Sequence, residues 1–166
     1  MSKSNNKINV ALIGTGNFAQ KVHLPNAARI PECKLRAVCD VNAELVKDVS
    51  LHYETDYWTT DYQQILNDQD IDAVILAVRD NLHANFAIQA LQSGKHVYVE
   101  KPLSKELKEC EKVIEVQRQS GKYLAVGFNR RYAPIYQLNK KIISEENGAY
   151  NIHMKMADDA WRWARG

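Results

Sequence analysis

Three groups of residues in this 166-residue chain could do chemistry, and they occur in a fixed order. The first is Gly14-Thr15-Gly16-Asn17-Phe18-Ala19, directly after the apolar run Val10, Ala11, Leu12 and Ile13. Gly14 allows a tight turn. Gly16 lets the backbone approach an anionic group with no Cβ in the way, and Ala19, small at the third position, lets a following helix pack on the strand. A helix opening at Asn17 and Phe18 offers unpaired N–H groups and its positive dipole end to phosphate. The second is Asp40, 21 residues beyond Ala19 at the end of a second apolar stretch. A carboxylate there accepts hydrogen bonds from the 2′- and 3′-hydroxyls of a ribose and repels a 2′-phosphate, which favours NAD over NADP. The alternative is a turn aspartate capping the helix that starts near Ala43. The third is Glu100-Lys101-Pro102. A lysine at the end of a strand can hydrogen-bond a substrate hydroxyl or carbonyl and stabilise charge that develops during hydride transfer. The bland alternative is a turn, in which Pro102 stops the strand and Ser104 starts a helix.

These groups act together only if the chain brings them to one edge, and the hydrophobic pattern supplies the elements that do so. Strands are expected at Val10–Ile13, Lys34–Cys39, Ile71–Val78, His96–Glu100 and Tyr123–Gly127. Between them, helices are expected near Asn17 (broken or kinked by Pro25), over Ala43 to Tyr53, around Tyr62 to Leu66, from a cap at Asn81 to Gly94, from a cap at Ser104 to Gly121, and from Ala133 to Ser144. On the long fifth helix the expected buried side is Leu107, Cys110, Val113, Ile114 and Gln117. Strands alternating with helices of this length imply an α/β fold with a doubly wound parallel sheet, the Rossmann arrangement. Open parallel sheets bind ligands at the carboxyl ends of their strands, where all three groups fall.

The ordered set Gly14–Ala19, Cys39-Asp40-Val41-Asn42, Gly94 through Glu100-Lys101-Pro102, and Gly127-Phe128-Asn129-Arg130-Arg131-Tyr132 resembles the nucleotide-binding half of the glucose–fructose oxidoreductase / inositol dehydrogenase (Gfo/Idh/MocA) family over about residues 7 to 156. The resemblance implies NAD(P)-dependent redox chemistry on sugars, cyclitols or related polyols. It implies that Lys101 lies near substrate and nicotinamide as the catalytic lysine, that Glu100 supports the cofactor side, and that the Lys101–Pro102 peptide is cis. It places Val78, Arg79 and His83 along the cofactor cleft, and at least one of Asn129, Arg130 and Arg131 near cofactor or substrate. An exposed or carboxylate-paired arginine doublet is the alternative for the last group. After the third strand the family usually reads Thr-Pro-Asn, then two residues, then His; this chain has Val78-Arg79-Asp80-Asn81-Leu82-His83, which keeps the histidine and loses the Thr-Pro-Asn, so contacts there are expected to differ. His83 reads as a hydrogen-bonding residue at a helix start rather than a catalyst, and His23 as a surface or packing residue.

Composition narrows the class. With 45% hydrophobic and 25% charged residues and a formal net charge of +2, the chain suits one globular domain and not a nucleic-acid binder. No apolar run reaches the ~20 residues of a membrane span, and no signal-peptide core opens the sequence. Three widely spaced cysteines, with no C-x-x-C, suit reduced thiols in a cytoplasm and no metal site.

The C-terminus has a different pattern. Tyr150, Ile152, Met154 and Met156 alternate with Asn151, His153 and Lys155, as in a strand with one wet face. The expected organisation is therefore a dinucleotide-binding domain over 7–148 and the first strand of a further α/β substrate domain in 149–166, truncated at Gly166. In many dehydrogenases that the chain resembles, the further domain supplies a histidine as general acid/base, and no histidine follows His153 here. The leading expectation is thus the cofactor half of an NAD-dependent oxidoreductase with a small sugar or polyol substrate. The alternative is a non-catalytic NAD(P)-binding sensor that self-associates, as a homo-oligomer, through the C-terminal strand.

Overall fold

A computed structural model describes residues 7–145. Six parallel strands form one sheet: β1 (Ile8–Ile13), β2 (Cys33–Cys39), β3 (Tyr57–Thr59), β4 (Ala73–Leu76), β5 (His96–Val99) and β6 (Leu124–Val126). Their order across the sheet is β3-β2-β1-β4-β5-β6, so the winding reverses at β1. A cleft opens at that reversal because the connections from β1 and β4 leave toward opposite faces.

Successive residues of β1 bury themselves on opposite faces. Ala11 and Ile13 pack into one core with Leu76, Val99, Ala87, Leu91 and Val113. Leu12 packs into the other with Leu24, Val38, Val46 and Val49. Burial on both faces is why the strand reads as a continuous apolar run.

The helices are α1 (Leu24–Arg29), α2 (Ala43–Tyr53), α3 (Tyr62–Asn67), α4 (His83–Gln92), α5 (Leu107–Ser120) and α6 (Pro134–Glu145). Asn42 caps α2 by accepting from the Leu45 N–H at 3.1 Å, so Asp40 is not the cap. Asp61 caps α3 through the Gln63 N–H at 2.9 Å. Gly94 and Gly121, at φ of +78° and +65°, follow α4 and α5 as expected of helix-terminating glycines.

Five local expectations are corrected. The short edge strand β3 was not expected, since three residues give no periodicity to read. Asn81 does not cap α4: Asp80–Leu82 form a 3₁₀ turn, and α4 begins at His83. Ser104 does not cap α5 either. Its hydroxyl accepts the Glu106 N–H at 3.0 Å, and the helix starts after Glu106. The buried stripe of α5 is Val113 and Val116, while Leu107 and Ile114 are exposed. Pro25 does not end the first helix. A π turn over Ala19–His23 precedes α1, and the Leu24 N–H reaches back five residues to the Ala19 carbonyl. Pro25 has no N–H to donate, and it occupies the first turn of α1, where none is needed.

The sheet and its helices form one compact unit that ends at Phe128, and a second begins at Asn129. Within the second, Asn129–Tyr132 form a 3₁₀ turn that leads into α6. The expected boundary at 148/149, the strand Tyr150–Met156 and the tryptophans beyond it lie outside the described residues. Among the described residues no helix is long and apolar enough to cross a membrane, and no cluster of side chains could hold a metal.

Candidate functional site

The glycine-rich turn is held by its neighbours from both sides. Gly14 has φ +94°, and a Cβ there would lie 2.6 Å from the Ala77 carbonyl oxygen. Only glycine fits this crossing of β1 against the end of β4. Gly16 is different: it is exposed, and a Cβ would meet nothing within 4 Å. Thr15 between them is wholly buried. The Gln20 side chain donates to the Thr15 carbonyl at 2.8 Å, which ties the turn to the helix that follows. Ala19 is buried against Leu12 and Leu24, the close helix-on-strand contact expected of a small residue.

Asp40 reaches back to the same turn. Its Oδ2 accepts from the Thr15 N–H at 2.7 Å and from the Thr15 hydroxyl at 3.1 Å. Its Oδ1 accepts from the Asn42 N–H at 3.0 Å. A carboxylate has about four acceptor positions, so Oδ1 keeps one that these bonds do not use. The side chain is half-exposed.

Glycine turn and carboxylate share a cleft of about 540 Å³. Of the residues expected to bind cofactor, Gly14, Gly16, Asn17, Phe18, Asp40, Val78 and Arg79 line it. Part of the wall was not foreseen: Thr60, Tyr62, Leu82 and Phe86 also face the cleft. Tyr62 and Phe86 stack with centroids 4.4 Å apart, and the Tyr62 hydroxyl donates to Gln89 at 3.0 Å. Tyr62 follows the unforeseen β3, which is why its place was not legible. Cys39 also borders the cleft, and burial pushes its thiol up to about 12.

His83 is corrected. It is fully buried, with Nδ1 2.7 Å from the Pro102 carbonyl and Nε2 3.0 Å from the Val78 carbonyl. Both ring nitrogens face backbone carbonyls, so the side chain braces the loops that follow β4 and β5. Next to it, the loop residues Arg79 and Asp80 diverge: Arg79 lines the cleft, whereas Asp80 pairs with Lys105 at 2.6 Å. That hydrogen bond holds the Asp80 carboxyl below the usual carboxylate range.

At the end of β5 the Lys101–Pro102 peptide is cis, and the Lys101 side chain is exposed. Glu100 is mostly buried. Its Oε2 accepts the Lys101 N–H at 3.2 Å, and its Oε1 lies 3.0 Å from His23 Nε2. His23 is therefore no surface residue: it is buried between Phe18 and Tyr98, edge-on to both rings. Gly127 closes the same corner, since a Cβ there would lie 2.8 Å from the Tyr98 hydroxyl and 2.9 Å from Glu100 Oε1. Ala19, His83 and Glu100 thus stand behind the cleft wall. Asn129 and Arg130 lie in the second unit, exposed in its 3₁₀ turn.

The sequence matches the profile of the Gfo/Idh/MocA oxidoreductase family, described as an NAD-binding Rossmann fold, over residues 8–128. The chain is 36% identical over 142 residues to the uncharacterized oxidoreductase YrbE of Bacillus subtilis, matching 86% of this chain and 41% of that protein. It is 33% identical to the inositol 2-dehydrogenase of Salmonella typhimurium, over 82% of this chain and 41% of that enzyme. Among solved structures, the scyllo-inositol dehydrogenase of Lactobacillus casei with bound NAD(H) and scyllo-inositol superposes with a TM-score of 0.78 at 26% identity, covering 84% of this chain and 41% of that one. The chain therefore spans about two fifths of the length of these relatives.

Proposed function

Because the chain belongs to the Gfo/Idh/MocA oxidoreductase family and carries its NAD-binding Rossmann fold, we propose that it is the cofactor-holding part of an NAD-dependent dehydrogenase of a sugar, cyclitol or related polyol. The observation that carries this reading is the cleft itself. An open glycine at position 16 and a carboxylate oxygen of Asp40, fixed from behind by Thr15, face the same 540 Å³ space. The residues fit the group: a pyrophosphate meets backbone N–H groups at the start of the helix after Gly16, and a ribose meets Asp40 Oδ1.

Bound NAD supplies the hydride acceptor. The chain's own residues do the holding. Gly16, Asn17 and Phe18 receive the phosphates, and Asp40 orients the ribose and disfavours a 2′-phosphate. Arg79, in the position the family usually gives to Thr-Pro-Asn, adds a cation to the cleft wall. Lys101, exposed at the ligand edge, is the residue to donate a hydrogen bond from Nζ to the substrate oxygen and stabilise its developing charge. Support for a cyclitol or sugar substrate comes from the relatives, among them inositol 2-dehydrogenase and levoglucosan dehydrogenase. A cytoplasmic location accords with three free thiols.

The test is a fluorescence titration with NADH and NADPH. Saturable NADH binding at least about tenfold tighter than NADPH supports the reading. No binding, or a preference for NADPH, overturns it.

A further inference from the structure

We propose that His23 is a positioning residue for the nicotinamide half of the site, acting through Glu100; this rests on the dinucleotide reading above. The assignment comes from the geometry behind Phe18. The π turn Ala19–His23 carries His23 inward, so that its ring lies edge-on to Phe18, a cleft residue, at 5.3 Å. On its other side it meets Tyr98 at 5.4 Å and Glu100 Oε1 at 3.0 Å. The Glu100 carboxylate has little freedom: Gly127 leaves it 2.9 Å from where a Cβ would stand, and Oε2 is engaged by the Lys101 N–H at 3.2 Å. His23 thus joins the glycine-turn helix to the loop that presents Lys101.

The half of the ligand concerned follows from strand order. Asp40 ends β2 and Glu100 ends β5, three strand spacings apart across β1 and β4. At ~4.8 Å per spacing this is about 14 Å. A dinucleotide with its pyrophosphate at the turn after β1 and its adenosine ribose on Asp40 extends its other half toward β4 and β5. His23 and Glu100 lie at that end. Loss of the His23 hydrogen bond releases the Glu100 carboxylate, and with it the Lys101 loop, while the adenosine end keeps Thr15 and Asp40 unchanged.

Two ligands separate this role from general damage: NADH, and ADP-ribose, which lacks the nicotinamide. The full chain and its variants are titrated with both by calorimetry. For His23→Phe the expected result is an NADH affinity about tenfold weaker, as for loss of one charge-assisted hydrogen bond, with ADP-ribose affinity within twofold of wild type. His23→Gln, whose amide N–H reaches toward the same oxygen, restores NADH binding to within about threefold. Glu100→Gln, close in shape to the native residue, shows the same split between ligands and remains informative if His23→Phe does not fold. Unchanged NADH affinity in either variant overturns the proposal, and so does an equal loss for both ligands. A wild-type chain that binds neither ligand overturns the dinucleotide reading, and this proposal with it.

Discussion

Gly14 and Gly16 lie two residues apart in one motif, yet the structure predicts opposite consequences for the same substitution. At Gly14 an alanine meets two penalties. The backbone stands at φ +94°, where an L side chain costs roughly 1–2 kcal/mol. The new Cβ also stands 2.6 Å from the Ala77 oxygen, 2.7 Å from the Ala77 carbonyl carbon and 2.9 Å from the Val78 nitrogen. These are backbone atoms at the end of β4 and cannot swing away, so overpacking adds about 1–3 kcal/mol. The sum for Gly14→Ala is about 2–5 kcal/mol, and at about 2–4 °C per kcal/mol for a chain of this size the thermal midpoint falls by roughly 4–20 °C. At Gly16 there is no positive φ and nothing within 4 Å, so Gly16→Ala leaves the midpoint within about 2 °C. Its methyl group instead enters the cleft, where the proposed reading places a pyrophosphate. A clash of about 1–3 kcal/mol with the ligand weakens NADH binding by about 5- to 150-fold. Thermal denaturation and an NADH titration on both variants decide the matter. A stable Gly14→Ala, or a Gly16→Ala that binds NADH as wild type does, refutes the division of labour within the turn.

Other substitutions test neighbouring parts. Asp40→Asn keeps an acceptor for the Thr15 N–H and removes the charge that repels a 2′-phosphate; the NADH-to-NADPH affinity ratio is expected to fall about tenfold or more by fluorescence titration. His83→Ala removes a fully buried ring that braces two carbonyls, those of Val78 and Pro102, and should cost about 2–4 kcal/mol in urea denaturation. At Asp68 burial acts to raise the carboxyl, but hydrogen bonds from Arg36, from the Asp70 N–H and from Tyr57 outweigh it and hold the group below its ordinary 3.8. The folded-state value is therefore depressed, so this stabilisation is complete above pH 3.8 and is lost as pH falls through the lower folded-state value. Asp68→Asn should flatten the acid limb of the stability profile below pH 3.8, and an unchanged limb would exclude Asp68 as its source.

What could be read from the sequence and what could not differ by how far apart the partners lie along the chain. The β1 turn was legible because its constraints are local: a buried run, then glycines at fixed offsets, then a small residue where a helix must lie close. Asp40 was legible because the length of one helix and one strand fixes its distance from that turn. The partners of His23 and His83 were not, and for a shared reason. Each histidine is explained by a partner brought close only by the parallel sheet: Glu100 lies 77 residues from His23, and the Pro102 carbonyl 19 residues from His83. Nothing near either histidine in sequence announces those contacts. The Thr15–Asp40 bond spans 25 residues and was equally hidden, although both residues stand inside motifs that were read. Motif spacing therefore located residues that line the cleft, whereas the atoms that hold them in place had to be found in the fold. The physical cause is that ligand-facing groups are set by backbone geometry, which repeats, while their supports are set by which side chains the crossover connections bring together. The proposed holding of a dinucleotide in this cleft thus rests on Thr15, His23 and Gly127 as supports as well as on the glycines and the acid that line it.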